Sequence, residues 1–220
     1  MSKVISTHIV EIRIKPDPLF LDKRGAIVKQ IVGNTLNNWT VSNNKIEFES
    51  SERSSVSAFF SYSNLGFVSK PPSTKDDFLR YSREFIKLAW QYIPTDSITR
   101  MGVRSIFLTE TSDFSGIFEA YKKKYLKIGK EELSIFGGDL VDLGLAFDFV
   151  DGEDFFKIMA GPMEKNQSKN IFGDEAFASG KYLELDYYRK NIPPFISTKN
   201  VFAFINKGVE KAEKISQEII

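Results

Sequence analysis

Between Val141 and Val150 the chain reads VDLGLAFDFV, with Val141, Leu143, Leu145, Phe147 and Phe149 alternating against Asp142, Gly144, Ala146 and Asp148. A period of two sustained over that length makes a strand whose successive side chains point to opposite faces. Apolar residues on one face and polar or small ones on the other mean that only one face is covered, the pattern of an antiparallel sheet. The same period recurs at Ile9 to Ile14, Lys45 to Glu49, Val56 to Tyr62, Ile98 to Thr109, Phe155 to Ala160 and Tyr182 to Arg189. Asp151-Gly152 is a hairpin signal between two of these runs.

Elsewhere the apolar period lengthens to that of helices. Asp17-Pro18 predicts a helix start, with Ala26, Ile27, Ile31 and Val32 continuing until Gly33-Asn34. Pro71-Pro72 and then Ser73 or Thr74 introduce a second helix through Phe78, Phe85, Ala89 and Ile93, closed by Pro94. Asp113 caps a third, carrying Ile117, Phe118, Tyr121 and Tyr125. Pro193-Pro194 precedes a last one from Thr198, with Val201, Ile205, Gly208, Val209, Ala212 and Ile215 as one stripe.

The order strand, helix, strands, helix therefore occurs twice. The expected fold is α+β: two similarly ordered lobes, residues 1–95 and 96–220, of mainly antiparallel sheet with four main helices packed on one face. One continuous domain with an internal duplication is the other form of the same expectation. Residues 161–180, rich in Lys, Asn, Gly and Ser, are longer than a structureless loop should be, and read as a functional loop, a short element or a disordered hairpin tip.

Composition removes several kinds of chemistry. In 220 residues there is no cysteine and one histidine, His8. Disulfides, thiolate metal sites, a cysteine nucleophile and most histidine relays are thereby excluded. His8 reads as a strand-edge residue. The 30 basic and 29 acidic residues, a net charge of +1, give no overall field toward nucleic acid or anionic lipid. No secretory leader and no apolar run long enough to span a bilayer is present, so the cytoplasm is the expected location. No cofactor is expected.

The most specific candidate site is Arg100-Met101-Gly102-Val103-Arg104. On a strand, Arg100, Gly102 and Arg104 share a face, so two guanidiniums flank a position without a side chain that could admit a phosphate or carboxylate. The plainer reading pairs them with Glu11, Glu47, Glu49, Asp142, Glu184 or Asp186 on neighbouring strands. Arg13 joins them as a third candidate ligand-binding residue. The polar face as a whole reads as mildly acidic, with only Phe59, Tyr182 and Tyr188 as outward aromatics, which argues against nucleic acid. The basic run Lys122-Lys123-Lys124 reads as a solvated helix face. Glu47 with Glu49, and Glu184 with Asp186, are carboxylate pairs on one strand face, a pattern any half-exposed strand produces.

The strand Val10 to Ile14 followed by KPDPLF, the R-x-G-x-R of Arg100 to Arg104, and YLELDYYR before a long helix resemble a sporadically distributed family of uncharacterised prokaryotic proteins. Ser105 stands where members of that family often carry an aromatic. The resemblance implies a cytoplasmic accessory protein from a patchily inherited locus, mobile or defence-related, and no established activity. The expected function is a noncatalytic binding or protein-interaction protein with a protein partner or a second copy of itself. The alternatives are a sensor of a small anionic or nucleotide-derived ligand held by Arg13, Arg100 and Arg104, and a carboxylate-dependent metal hydrolase using Glu47, Asp142 or Glu184.

Overall fold

The computed structural model describes residues 3–219 except 34, 53, 54 and 128. Among them the alternating segments form β1 (Val4–Ile14), β2 (Asn38–Val41), β3 (Lys45–Glu49), β4 (Val56–Ser61), β5 (Asn64–Ser69), β6 (Ile98–Glu110), β7 (Leu145–Asp151), β8 (Asp154–Glu164) and β9 (Ser179–Arg189). All join one antiparallel sheet in the order β2-β3-β4-β5-β1-β6-β9-β8-β7. The helices are α1 (Phe20–Ile31), α2 (Lys75–Ala89), α3 (Phe114–Tyr125), α4 (Lys130–Ser134), α5 (Lys165–Phe172) and α6 (Thr198–Ile219). The fold is α+β, as the pattern predicts.

The centre of the sheet is the β1–β6 pair, in register from Val4 opposite Thr109 to Arg13 opposite Arg100. From that pair outward, the first part of the chain continues through β5, β4, β3 and β2, and the second through β9, β8 and β7. Helices α1, α2, α3 and α6 supply the apolar layer on one face. Val10 and Ile12 of β1, Phe67 of β5, Val103 of β6 and Leu185 of β9 meet Phe78, Phe85 and Ile86 of α2 and Ile205 and Val209 of α6 in one buried cluster. Each such side chain contributes roughly 1.5–3 kcal/mol by leaving water. Gly208 and Ala212 of α6 lie inside this layer: a Cβ on Gly208 would sit 2.9 Å from the Tyr187 ring, and Ala212 is fully buried. That stripe faces the chain's own sheet, so it offers no surface to a partner.

Local chemistry sets the helix starts. Thr74 Oγ1 accepts from the Asp77 amide while the Asp77 carboxylate accepts from the Thr74 amide, a reciprocal cap that opens α2. Asp113 accepts from the Gly116 amide at 2.8 Å and opens α3. At α1 the start differs from expectation. The Asp17 amide is still tied to the Tyr62 carbonyl at 2.8 Å, its carboxylate caps the Leu19 amide, and the helix begins at Phe20. Of the expected stop at Gly33-Asn34, Asn34 lies outside the described residues.

Three further segments depart from the sequence reading. Asn64-Leu65-Gly66 is the start of β5 rather than a turn, because Ser61 Oγ accepts from the amides of Ser63 and Asn64 and tightens the reversal ahead of it. Strand β7 starts at Leu145, so Asp142 stands before the sheet, not on its polar face. Residues 161–180 are an ordered connection. β8 runs to Glu164, α5 follows, a 3-10 turn spans Gly173–Glu175, and β9 begins at Ser179. Phe172 and Phe177 pack with Ile5, Ile106, Leu108 and Tyr182 on the face opposite the four main helices, forming a second, smaller cluster that closes one end of that face. A helix of two turns with two buried side chains carries too little period to be read in advance.

His8 is not at an edge. It sits in the middle of the central strand at 1% exposure, its ring against Phe78 and Phe107, with Nδ1 3.0 Å from Ser105 Oγ. Among the described residues, no helix is long and apolar enough to cross a membrane.

Candidate functional site

Strand alternation places Glu11 and Arg13 of β1, Arg100, Gly102 and Arg104 of β6, and Glu184, Asp186 and Tyr188 of β9 on the face away from the four main helices. Beyond the end closed by α5 this face is covered by no described helix. It holds a shallow concavity of about 600 Å³ bordered by Arg13, Arg100 and Arg104, with Phe59, Asp148, Lys157 and Lys190 at its sides. The three arginines singled out in the sequence thus converge on one place.

One cross-strand row organises its floor. Phe59 is opposite Gly66, Gly66 opposite Glu11, Glu11 opposite Gly102, Gly102 opposite Tyr188, and Tyr188 opposite Phe155. The two glycines are where neighbouring side chains lie flat. A Cβ on Gly66 would come within 2.6 Å of the Phe59 ring, and one on Gly102 within 3.0 Å of Arg100 Nη1. The gap beside Gly102 is therefore filled by the guanidinium of Arg100 rather than held open for an external anion.

Arg100 is the hub. Its Nη2 donates to both Asp186 oxygens at 3.0 and 3.3 Å, its Nη1 to Glu11 at 3.5 Å, and its guanidinium carbon lies 4.6 Å from the centre of the Tyr188 ring. Glu11 also accepts from Arg13 Nε at 2.9 Å and from Asn64 Nδ2 at 2.8 Å. Arg104 reaches Glu184 at 3.3 Å and Asp186 at 3.7 Å, and the Tyr182 hydroxyl donates to Glu184 at 2.6 Å. Burial, then that bond, hold the Tyr182 phenol well above its ordinary pKa, so it remains a donor. The Arg100 side chain is 16% exposed and the Arg104 side chain 46%. The first is locked into the sheet and the second reaches solvent.

Aromatic rings add a second kind of cation contact. Lys45 lies over Phe59, and Lys190 over Tyr188 and Phe155, whose rings stack at 5.4 Å and 12°. Lys190 is the residue that the sequence reading omitted. It continues the alternation Tyr182, Glu184, Asp186, Tyr188 by one step past the end of β9. With Lys190 on the face and Asp142 off it, Lys45, Arg13, Arg100, Arg104, Lys157 and Lys190 stand against Glu47, Glu49, Glu11, Asp148, Glu184 and Asp186. The face is balanced in charge rather than mildly acidic.

The carboxylates considered for metal chemistry are scattered. Glu47 is on β3, Glu184 on β9, and Asp142 accepts from Gln167 Nε2 ahead of β7. Among the described residues no three histidine, aspartate or glutamate side chains are grouped to hold a metal ion. The tightest acid–base cluster lies on the helix side and went unseen in the sequence. Asp154, 1% exposed, accepts from Arg189 Nε at 2.7 Å, Lys207 Nζ at 2.7 Å and the Tyr187 hydroxyl. Burial alone would raise its pKa, but those three donors prevail and set it at about 2. This cluster ties α6 to β8 and β9 through donors that are all engaged. No protein-family model matches the chain, and no curated protein matches it either.

Proposed function

We propose that the protein is a noncatalytic binding protein that recognises a protein partner with the uncovered polar face of its sheet. The observation that carries this reading is the concavity itself. It lies across the central strands, is bordered by Arg13, Arg104, Lys157 and Asp148, and has a floor whose charges are already paired. A surface of alternating, mutually satisfied charges complements a partner surface of mixed charge, because each group can be shared with an opposite one without stranding its neighbour. It suits an isolated anion less, since phosphate or carboxylate would have to compete with Glu11, Glu184 and Asp186 for the same guanidiniums.

Exposed residues test this best, since Arg100 is built into the fold. Affinity capture from the cells that make the protein is expected to recover a partner with the wild type and to lose it by tenfold or more with Arg104→Glu/Lys157→Glu. A control on the far side, Lys29→Glu, retains it. Equal recovery by all three proteins overturns the reading.

The second reading is a sensor of a small anionic ligand. Arg104, half exposed beside Lys157 and Lys190, supports it. A rise in melting temperature with inorganic phosphate or nucleoside phosphates that Arg104→Glu abolishes would select this reading over the first. The repeated element order and the mirrored strand order further support descent of the two halves from one duplicated unit.

A further inference from the structure

We propose that the chain forms a symmetric dimer by pairing β7 with β7 of a second copy. This stands apart from the reading of the polar face, and different residues carry it.

Strand β7 is the outermost strand on its side of the sheet, and no described element pairs with its outer edge. The strand at the other edge, β2, likewise leaves its helix-side Trp39 and Val41 at 52% and 45% exposure, so the difference between the two sides lies one strand further in. There β3 is covered by β2, and its helix-side residues Ile46 and Phe48 are 0% exposed. The residues of β7 facing the same way, Phe147 and Phe149, remain 40% and 42% exposed, although Phe149 already stacks on buried Phe156 at 4.7 Å. From the central pair outward, the second part of the chain is one strand short of the first. A seven-residue edge with two half-exposed phenylalanines, and neither lysine nor proline to block it, is a template for another strand.

The sequence LAFDFVD favours its own copy as that strand. In an antiparallel pair centred on Phe147, Phe147 meets Phe147 of the second copy and Leu145 meets Phe149, so every helix-side residue of the overlap is apolar. On the polar side Asp148 falls opposite Ala146. Centring on Asp148 instead would set two carboxylates opposite each other, and centring on Phe149 would set Asp151 opposite Phe147. Self-pairing also has a two-fold axis, so it closes at two copies. The opposite edge, β2, has four residues, and the Ser42 carbonyl just past it is already taken by Arg24 Nη1 at 3.1 Å.

Sedimentation equilibrium at micromolar concentration is expected to give twice the chain mass for the wild type and for Trp39→Glu on the opposite edge, and the single-chain mass for Phe147→Lys. Because the chain has no cysteine, single substitutions also report the register. Under oxidation Phe147→Cys is expected to form a covalent dimer at least fivefold more completely than Phe149→Cys, whose opposite number is Leu145. A monomeric wild type, a dimer persisting in folded Phe147→Lys, or equal cross-linking of the two cysteine variants overturns the proposal. Should Phe147→Lys fail to fold, the cysteine pair decides.

Discussion

His8 shows how one buried ring can set the acid limit of the fold. Burial, and then the charge of Lys75, lower its pKa to about 4, from about 6.5 in an unfolded chain. The folded protein therefore keeps the ring neutral while the unfolded chain takes up a proton. Stability from this residue is complete above pH 6.5 and is lost as the pH falls toward 4. By linkage the loss is about 3 kcal/mol. Urea unfolding measured between pH 7 and pH 4.5 is expected to show this fall, and a flat profile would contradict it. The sequence displayed a lone histidine near the chain start and gave no sign of its depth. Depth came from β5 and β6 closing on both sides of β1, with α2 over them, and no local pattern encodes that. Arg100 was visible for a different reason: alternation assigns its face, and opposite charges on adjacent strands are what such a face requires. What alternation does not contain is where a long side chain lies down, so the filling of the space beside Gly102 emerges only in three dimensions.

At the scale of elements, sequence period located the main helices by a buried stripe and the strands by alternation, which is written into the residues even of β2 and β7, where nearly every residue is exposed. It failed where a helix is too short to repeat a stripe, as in α5, or where side chains rather than glycine make the reversal, as at Ser61. The contrast between a buried stripe and an exposed face separates two glycines inside helices. In α1, Gly25 has no atom within 4 Å of a built Cβ. Gly25→Ala is expected to stabilise the protein by roughly 0.5–1 kcal/mol through helix propensity. In α6, Gly208→Ala would press on Tyr187 at 2.9 Å and Val103 at 3.3 Å, and is expected to destabilise by about 1–3 kcal/mol. Urea midpoints of the two variants, moving in opposite directions, check both at once.

The whole molecule is joined across its middle. β1 and β6 pair along their length, α2 packs on α6, and one apolar cluster draws from both parts of the chain. A single unfolding transition is the expected behaviour. Both tryptophans, Trp39 and Trp90, belong to the first part, whereas far-ultraviolet circular dichroism reports helices and strands throughout. Coincident midpoints by the two probes are expected, and separated ones would show that the parts unfold independently. The strand order has one more consequence, which concerns time. β9, between β6 and β8, begins at Ser179, long after β6 ends at Glu110. On a ribosome the outer edge of β6 thus waits roughly 3–14 s for its partner. Through that interval Arg100, Arg104 and Glu110 are the charges along the open edge, and charged side chains are what discourages an unpaired edge from joining a wrong strand.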